Sequence, residues 1–263
     1  KKKGHGDMNL HDALVQSCDV YFYTLGYRLG INSLAKYATK LGLGELTGIE
    51  LKGEKSGLVP SKQWKKKFKN EPWYLGETIS ASIGQGYNLV TPLQSARMIS
   101  TIASGGLLVR PYLVKRIEDY DGRLIQEFFP EVIKKIKIEP EVLRNIKEGL
   151  RGVVHEAHGT GRRARLKNVI VAGKTGTAQV VAMKDSDEID PEEETPYSHR
   201  DHAWFVAFAP YENPEVAVSV IIEHGGHGGA TAAPIAGGIL KTYFSHYPPS
   251  KTIELDKDKI EVN

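Results

Sequence analysis

Leu10, Leu14, Val15, Phe22 and Leu25 recur at helical spacing, which predicts a helix over residues 9–29. Asn32 can cap a second helix that Gly42 ends. Residues 45–60 read as short strands and turns, and Pro60-Ser61 opens a lysine-rich stretch. Thr91 followed by Pro92 supplies a cap and a first-turn proline for a helix beginning TPLQSARMIS. Residues 109–129 read as two short strands around an Asp121-Gly122 turn, and residues 140–154 as another amphipathic helix.

The pattern then changes period. A short apolar run, VIVA, leads into Gly173-Lys174-Thr175-Gly176-Thr177. Residues 203–209 (AWFVAFA) and 216–223 (VAVSVIIE) are rich in aromatic and β-branched residues around a turn bounded by Pro210 and Pro214, an antiparallel hairpin. A glycine turn containing His224 and His227, read as loop residues, feeds a last helix over 233–244. Strands and helices are segregated, so the expected class is α+β, an antiparallel sheet flanked by helices. Residues 183–200 are acidic and have the composition of a mobile loop between two strands.

Composition narrows the partners. The chain has 263 residues, 40% of them hydrophobic, enough to bury the core of one large domain. Its net charge of +3 gives no strong global field. The basic runs KQWKKKFK and RRARLK come with no nucleic-acid motif, so nucleic acid is set aside; the runs read as solvated faces or, alternatively, as attraction to an anionic glycan or membrane surface. Cys18 is the single cysteine and excludes an internal disulfide framework. No apolar run reaches the length of a membrane span.

Lys174 poses the chemical question. A strand entering a core rarely carries an unpaired ammonium, because burying one costs several kcal/mol. With hydroxyls at Thr175 and Thr177, it is placed for a ligand. The string Lys174-Thr175-Gly176 matches the K-T-G element of penicillin-binding proteins and serine β-lactamases. Ser17-Cys18-Asp19 is similar to that family's serine–any–asparagine element, with Asp19 in place of asparagine. The longer segments HDALVQSCDVYFYTLGYRLG, EPWYLGETISASIGQGYNLVTPLQSA, AGKTGTAQ and HAWFVAFAPYENPEVAVSVIIEHGG occur in the family's order. On these residues the chain resembles class B penicillin-binding proteins of the penicillin-binding protein 2 branch.

The resemblance implies a penicillin-binding, serine β-lactamase-like transpeptidase fold, with residues 1–263 forming part of one transpeptidase domain that is incomplete at its N-terminus. It implies a peptidoglycan D,D-transpeptidase acting through an acyl-serine. Ser17 would join a proton relay, Asp19 would order it by hydrogen bonds, and Lys174 would supply positive potential. Thr175 and Thr177 would bind the substrate carboxylate, Gly176 would let the peptide lie along the strand edge, and the Thr177 N–H would be one oxyanion donor. Implied partners are peptidoglycan stem peptides, β-lactams and a glycan-polymerising membrane protein, at the extracytoplasmic face of the bacterial plasma membrane, with a membrane anchor upstream. A penicillin-recognising sensor and a non-catalytic interaction domain use the same motifs and stand as alternatives.

The family's nucleophilic element, serine–any–any–lysine, has one match, Ser33-Leu34-Ala35-Lys36. It falls after Ser17, against the family's order, and reads as a decoy. The nucleophile is therefore expected before Lys1, and the chain alone is expected to be inactive. No cofactor is required. His5 and Cys18 are candidate zinc ligands by the same resemblance, but two ligands do not complete a tetrahedral site.

Overall fold

The computed structural model describes residues 4–180 and 196–250. Three helices come first: α1 (Leu10–Gln16), α2 (Asp19–Leu29) and α3 (Ile31–Lys40). The single helix expected over 9–29 is thus two. Asn9 caps α1 by accepting from the Asp12 N–H (2.8 Å), and Ser17 ends it in the left-handed region at φ 54°. The Cys18 N–H turns back to the Ala13 carbonyl (2.9 Å), closing the helix end. This conformation costs a non-glycine residue about 1–2 kcal/mol, so Ser17 is held there by its surroundings. Asn32 is not the cap of α3. The helix starts two residues earlier, with Gly30 at the cap position, and the Asn32 Oδ1 accepts from the Lys62 N–H (3.3 Å).

The lysine-rich run forms α4 (Lys62–Lys69), followed by α5 (Leu75–Ser82). It is not uniformly solvated, because Lys65 is only 1% exposed. Its ammonium pairs with Glu77, has Glu71 at 3.4 Å and lies 4.6 Å from the centre of the Tyr74 ring. Glu77 also accepts from the Tyr74 N–H (2.8 Å), so one carboxylate both caps α5 and ties it to α4. Helix α6 (Pro92–Ala103) starts as expected, with Thr91 and Gln94 capping each other reciprocally.

Residues 45–60 hold turns and one isolated bridge, Leu58 with Leu89, instead of strands. Buried polar side chains of α6 hold this segment. Gln94 Nε2 donates to the carbonyls of Glu45 (2.7 Å) and Ser56 (2.8 Å). Arg97 donates to those of Gly42 (2.7 Å) and Thr47 (3.2 Å). These contacts explain why the segment has no periodic pattern to read.

Four short strands follow: β1 (Leu107–Arg110), β2 (Arg116–Glu118), β3 (Leu124–Glu127) and β4 (Glu131–Lys135). The expected hairpin around Asp121-Gly122 is β2–β3, while β1 pairs with β4 outside it. Helix α7 (Pro140–His155) then leads to β5 (Ala172–Ala178), β6 (His202–Ala209), β7 (Val216–Ile222) and α8 (Ala232–His246). The last three strands form an antiparallel sheet in the order β5-β6-β7, with β5 at its edge. Alternate residues of β6 serve opposite faces. Ala203, Phe205 and Ala207 pack with Ala233, Ala236 and Leu240 of α8, whereas Phe208 packs with Ile99 of α6 and Leu150 of α7. The acidic loop expected over 183–200 lies, as far as residue 195, outside the described residues.

Candidate active site

Two elements remote in sequence meet at Lys174. The strand β5 emerges from the core at Ala172 and Gly173, both buried, and carries Lys174 to the strained end of α1. There the Lys174 Nζ donates to the Ser17 Oγ at 2.8 Å and to the Thr175 carbonyl at 2.9 Å. The left-handed turn at Ser17 is what aims the hydroxyl at the strand. With its oxygen accepting from the ammonium, the serine keeps its own O–H free to donate elsewhere. Burial pushes the Lys174 pKa down to about 8, against the opposing pull of the Asp19 carboxylate. A lysine tuned this close to neutrality, touching a hydroxyl, can pass or hold a proton.

Asp19 stands in the first turn of α2 and is exposed. Among the described residues it makes no hydrogen bond to Ser17 or Lys174, and it acts on the lysine through charge. The hydrogen bonds by which Asp19 is expected to order the relay are not among its contacts in this structure. Ser17 and Asp19 line one cavity of ≈ 670 Å³, together with His5, Met8, Cys18 and Arg28.

Thr175 is anchored from the side by a residue that the sequence reading missed. The Thr160 Oγ1 lies 2.9 Å from the Thr175 Oγ1, and the Thr160 N–H donates to the Val15 carbonyl (3.3 Å), linking α1, the loop after α7 and β5. The available signal was Thr160's position between Gly159 and Gly161. A Cβ on Gly159 would lie 2.3 Å from the Val153 carbonyl oxygen.

Further along the strand, Gly176 and Thr177 face Trp204 and Ala203 across the ladder. Gly176 is also approached on its face. A Cβ there would meet the Trp204 Cβ at 3.1 Å, and one on Gly228, in the glycine turn after β7, would lie 2.3 Å from the Gly176 carbonyl oxygen. That turn is fixed in turn by the His224 N–H, which donates to His202 Nδ1 (2.9 Å), in keeping with a loop role for His224. The Thr177 carbonyl accepts from Gln85 Nε2 (2.7 Å). Since a strand residue turns its N–H and C=O to the same side, the Thr177 N–H also faces the free edge.

Of the Ser33-Leu34-Ala35-Lys36 match, the lysine faces elsewhere. Lys36 lines a separate cavity of ≈ 500 Å³ with Asn32, Glu45 and Lys134, a group that does not include Ser17. His5 and Cys18 do share the first cavity, and the Cys18 thiol is free and buried. Among the described residues, however, no group of three or more His, Cys, Asp or Glu side chains gathers to hold a metal ion. The side chains described do not make a metal site by themselves.

Comparison with known proteins follows the same lines. A family model described as the penicillin binding protein transpeptidase domain matches residues 1–241. The peptidoglycan D,D-transpeptidase MrdA of Haemophilus influenzae is 39% identical over 252 residues, 95% of this chain and 38% of the relative. A crystal structure of Pseudomonas aeruginosa PBP2 in complex with WCK 5153 is 36% identical with a TM-score of 0.76, covering 90% of this chain and 49% of that one. A structure of a peptidoglycan synthase complex, concerned with coordinating polymerization and crosslinking, matches at 34% identity and TM-score 0.70, over 95% of this chain and 39% of that one. The chain spans about two fifths of the length of the curated relatives it matches, 38% and 41% for the first two. On its sequence, its fold and the family model together, this chain belongs to the penicillin binding protein transpeptidase domain family, in the MrdA/PBP2 branch.

Proposed function

We propose that this chain forms walls of a peptidoglycan D,D-transpeptidase active site, with Ser17 and Lys174 as its proton relay. One observation carries the reading: the 2.8 Å contact between Lys174 Nζ and Ser17 Oγ, made across 157 positions of sequence. In the reaction a serine oxygen attacks the carbonyl of the penultimate D-alanine of a donor stem peptide. The C–N bond to the terminal D-alanine breaks, and the leaving amine takes its proton through Ser17. An amine of a second stem then attacks the acyl-serine, forming the cross-link and restoring the serine O–H. The Thr177 N–H, open at the strand edge, donates to the developing oxyanion. The Thr175 and Thr177 hydroxyls hold the donor's carboxylate, and Asp19 keeps Lys174 charged enough to donate. β-Lactams acylate the same serine.

On this reading the acylated serine is not Ser33, because the Ser33-Leu34-Ala35-Lys36 match falls after Ser17, against the order of the family's elements. We take it to lie outside residues 1–263, so that this chain alone is inactive. Localisation at the extracytoplasmic face of the plasma membrane is part of the same reading, as is a glycan-polymerising partner, which the synthase complex described above supports. Among the described residues no helix is long and apolar enough to cross a membrane. Zinc held by His5 and Cys18 with further ligands is tested by metal analysis of the full-length protein before and after Cys18→Ser. Metal content that is unchanged by the substitution removes this site.

Labelling with a fluorescent penicillin tests the whole. The full-length protein is expected to give a labelled band that survives Ser33→Ala and is lost on Lys174→Ala, while residues 1–263 alone give none. A band from residues 1–263 that disappears on Ser33→Ala overturns the assignment of the relay. Cross-linking of a stem-peptide acceptor then separates an enzyme from a sensor that acylates without turnover.

A further inference from the structure

Gln85 is used by nothing in the mechanism above, yet it touches the reactive strand twice. Its Nε2 donates to the Thr177 carbonyl (2.7 Å), and its Oε1 accepts from the Gln179 N–H (3.3 Å). These are the donor and the acceptor that a neighbouring strand would offer to the free edge of β5. A single side-chain amide therefore stands in for a strand residue at the end of the edge where a peptide would pair.

The side chain is presented by a rigid support. Gln85 lies between Gly84 and Gly86, both in the left-handed region at φ 80° and 70°. Its N–H donates to the Ser80 carbonyl (3.0 Å), and Asn88 Nδ2 bridges the Gln85 (3.0 Å) and Ala81 (3.2 Å) carbonyls. The turn grows from the end of α5, and α5 packs on α2 so closely that a Cβ on Gly26 would lie 2.3 Å from the Ser82 Cβ. The helix that starts at Asp19 and the strand that carries Thr177 are thus joined through α5 and Gln85.

We propose that Gln85 is a positioning residue: its carboxamide clasps the end of the β5 edge, fixing the Thr177 peptide and ending the stretch available to a paired donor peptide. This rests on the transpeptidase reading for its consequence, though not for its geometry. The clasp holds the Thr177 carbonyl and the Gln179 N–H on one side, which leaves the Thr177 N–H as the open donor beside them. Without it, the strand end is free to turn and the oxyanion donor loses its aim.

Two measurements on the full-length protein test this. Amide exchange read by mass spectrometry should show Gln179 protected in the wild type and released in Gln85→Ala. Acylation by a fluorescent penicillin should slow by about tenfold or more in Gln85→Ala, the scale of a small misplacement of reacting groups. Gln85→Glu keeps the shape but sets a carboxylate against the Thr177 carbonyl. Its rate relative to wild type should therefore rise as pH falls from roughly 7 to 5 and the introduced carboxyl regains a proton to donate. The proposal is overturned if Gln179 exchanges equally in wild type and Gln85→Ala, or if both variants acylate within about twofold of wild type at every pH. A slow Gln85→Glu whose ratio to wild type stays flat with pH also overturns it. If the wild type itself is not labelled, the transpeptidase reading fails, and the Gln179 exchange still decides the clasp.

Discussion

Replacing Lys174 by methionine keeps the length of the side chain and removes its charge, which isolates the cost of burying the ammonium. Burial lowers the lysine's pKa from 10.5 to about 8. At about 1.4 kcal/mol per pKa unit, that difference bounds the penalty at about 3 kcal/mol. Because the folded pKa lies below the unfolded one, the unfolded chain binds more protons between pH 8 and 10.5. Stability conferred through this residue therefore rises with pH across that window. Below pH 8 both states are protonated and the penalty is present in full. Lys174→Met escapes the penalty but leaves the Ser17 Oγ and the Thr175 carbonyl without a donor, a loss of about 1–3 kcal/mol each. At pH 7 the two effects oppose each other, and the variant should fall between about 1 kcal/mol more stable and about 3 kcal/mol less stable than wild type. Urea titrations of both full-length proteins at pH 7, 8, 9 and 10 follow the difference, with the variant subtracting every other titrating group. The wild type should gain up to about 3 kcal/mol on the variant by the top of the range. A difference that stays flat from pH 7 to 10 would show that Lys174 is not desolvated, and the tuned relay would have no basis.

Penicillin acylation of the wild type should fall as pH rises through about 8, because the donating form of Lys174 is lost there; a rate still climbing above pH 9 contradicts its role as donor. Gly228→Ala places a Cβ 2.2 Å from the Trp204 carbonyl oxygen and 2.3 Å from that of Gly176, both backbone atoms. Thermal unfolding should show a loss of about 1–3 kcal/mol or more together with slower acylation, and a variant as stable as wild type refutes the close seating of the turn. Gln94→Ala removes a fully buried side chain that donates to the Glu45 and Ser56 carbonyls, a cost of about 1–3 kcal/mol. The same assay should find lowered stability with the acylation rate of the folded fraction retained.

The sheet and its covering helices were legible because their patterns are periodic and local. The β6–β7 hairpin has aromatic and β-branched runs around a proline-bounded turn, and α6 has its cap, proline and glutamine in sequence. Ser17, Lys174, Thr175 and Thr177 were singled out by their motifs, although nothing local showed that Ser17 and Lys174 touch. What escaped depends on contacts between distant segments. No periodicity marks the break at Ser17, which tertiary packing imposes on a sequence that reads as one helix. Residues 45–60 have no pattern because carbonyls held by Gln94 and Arg97 replace a strand ladder. Lys65 reads as one lysine among five in α4, and only the later Glu71 and Glu77 make it an interior cation. Thr160 and Gln85 are single polar residues flanked by glycines, a signal of constrained backbone that does not say what the side chain will reach.

The central claim is that Ser17 and Lys174 act as one unit. A double-mutant cycle on the full-length protein, Ser17→Ala and Lys174→Met singly and together, measured as the rate of acylation by a fluorescent penicillin, tests it most directly. The account predicts that each single change slows acylation strongly and that the double variant is scarcely slower than the worse single, a coupling above about 1 kcal/mol. Effects that simply multiply would contradict it, because the two side chains would then be working apart.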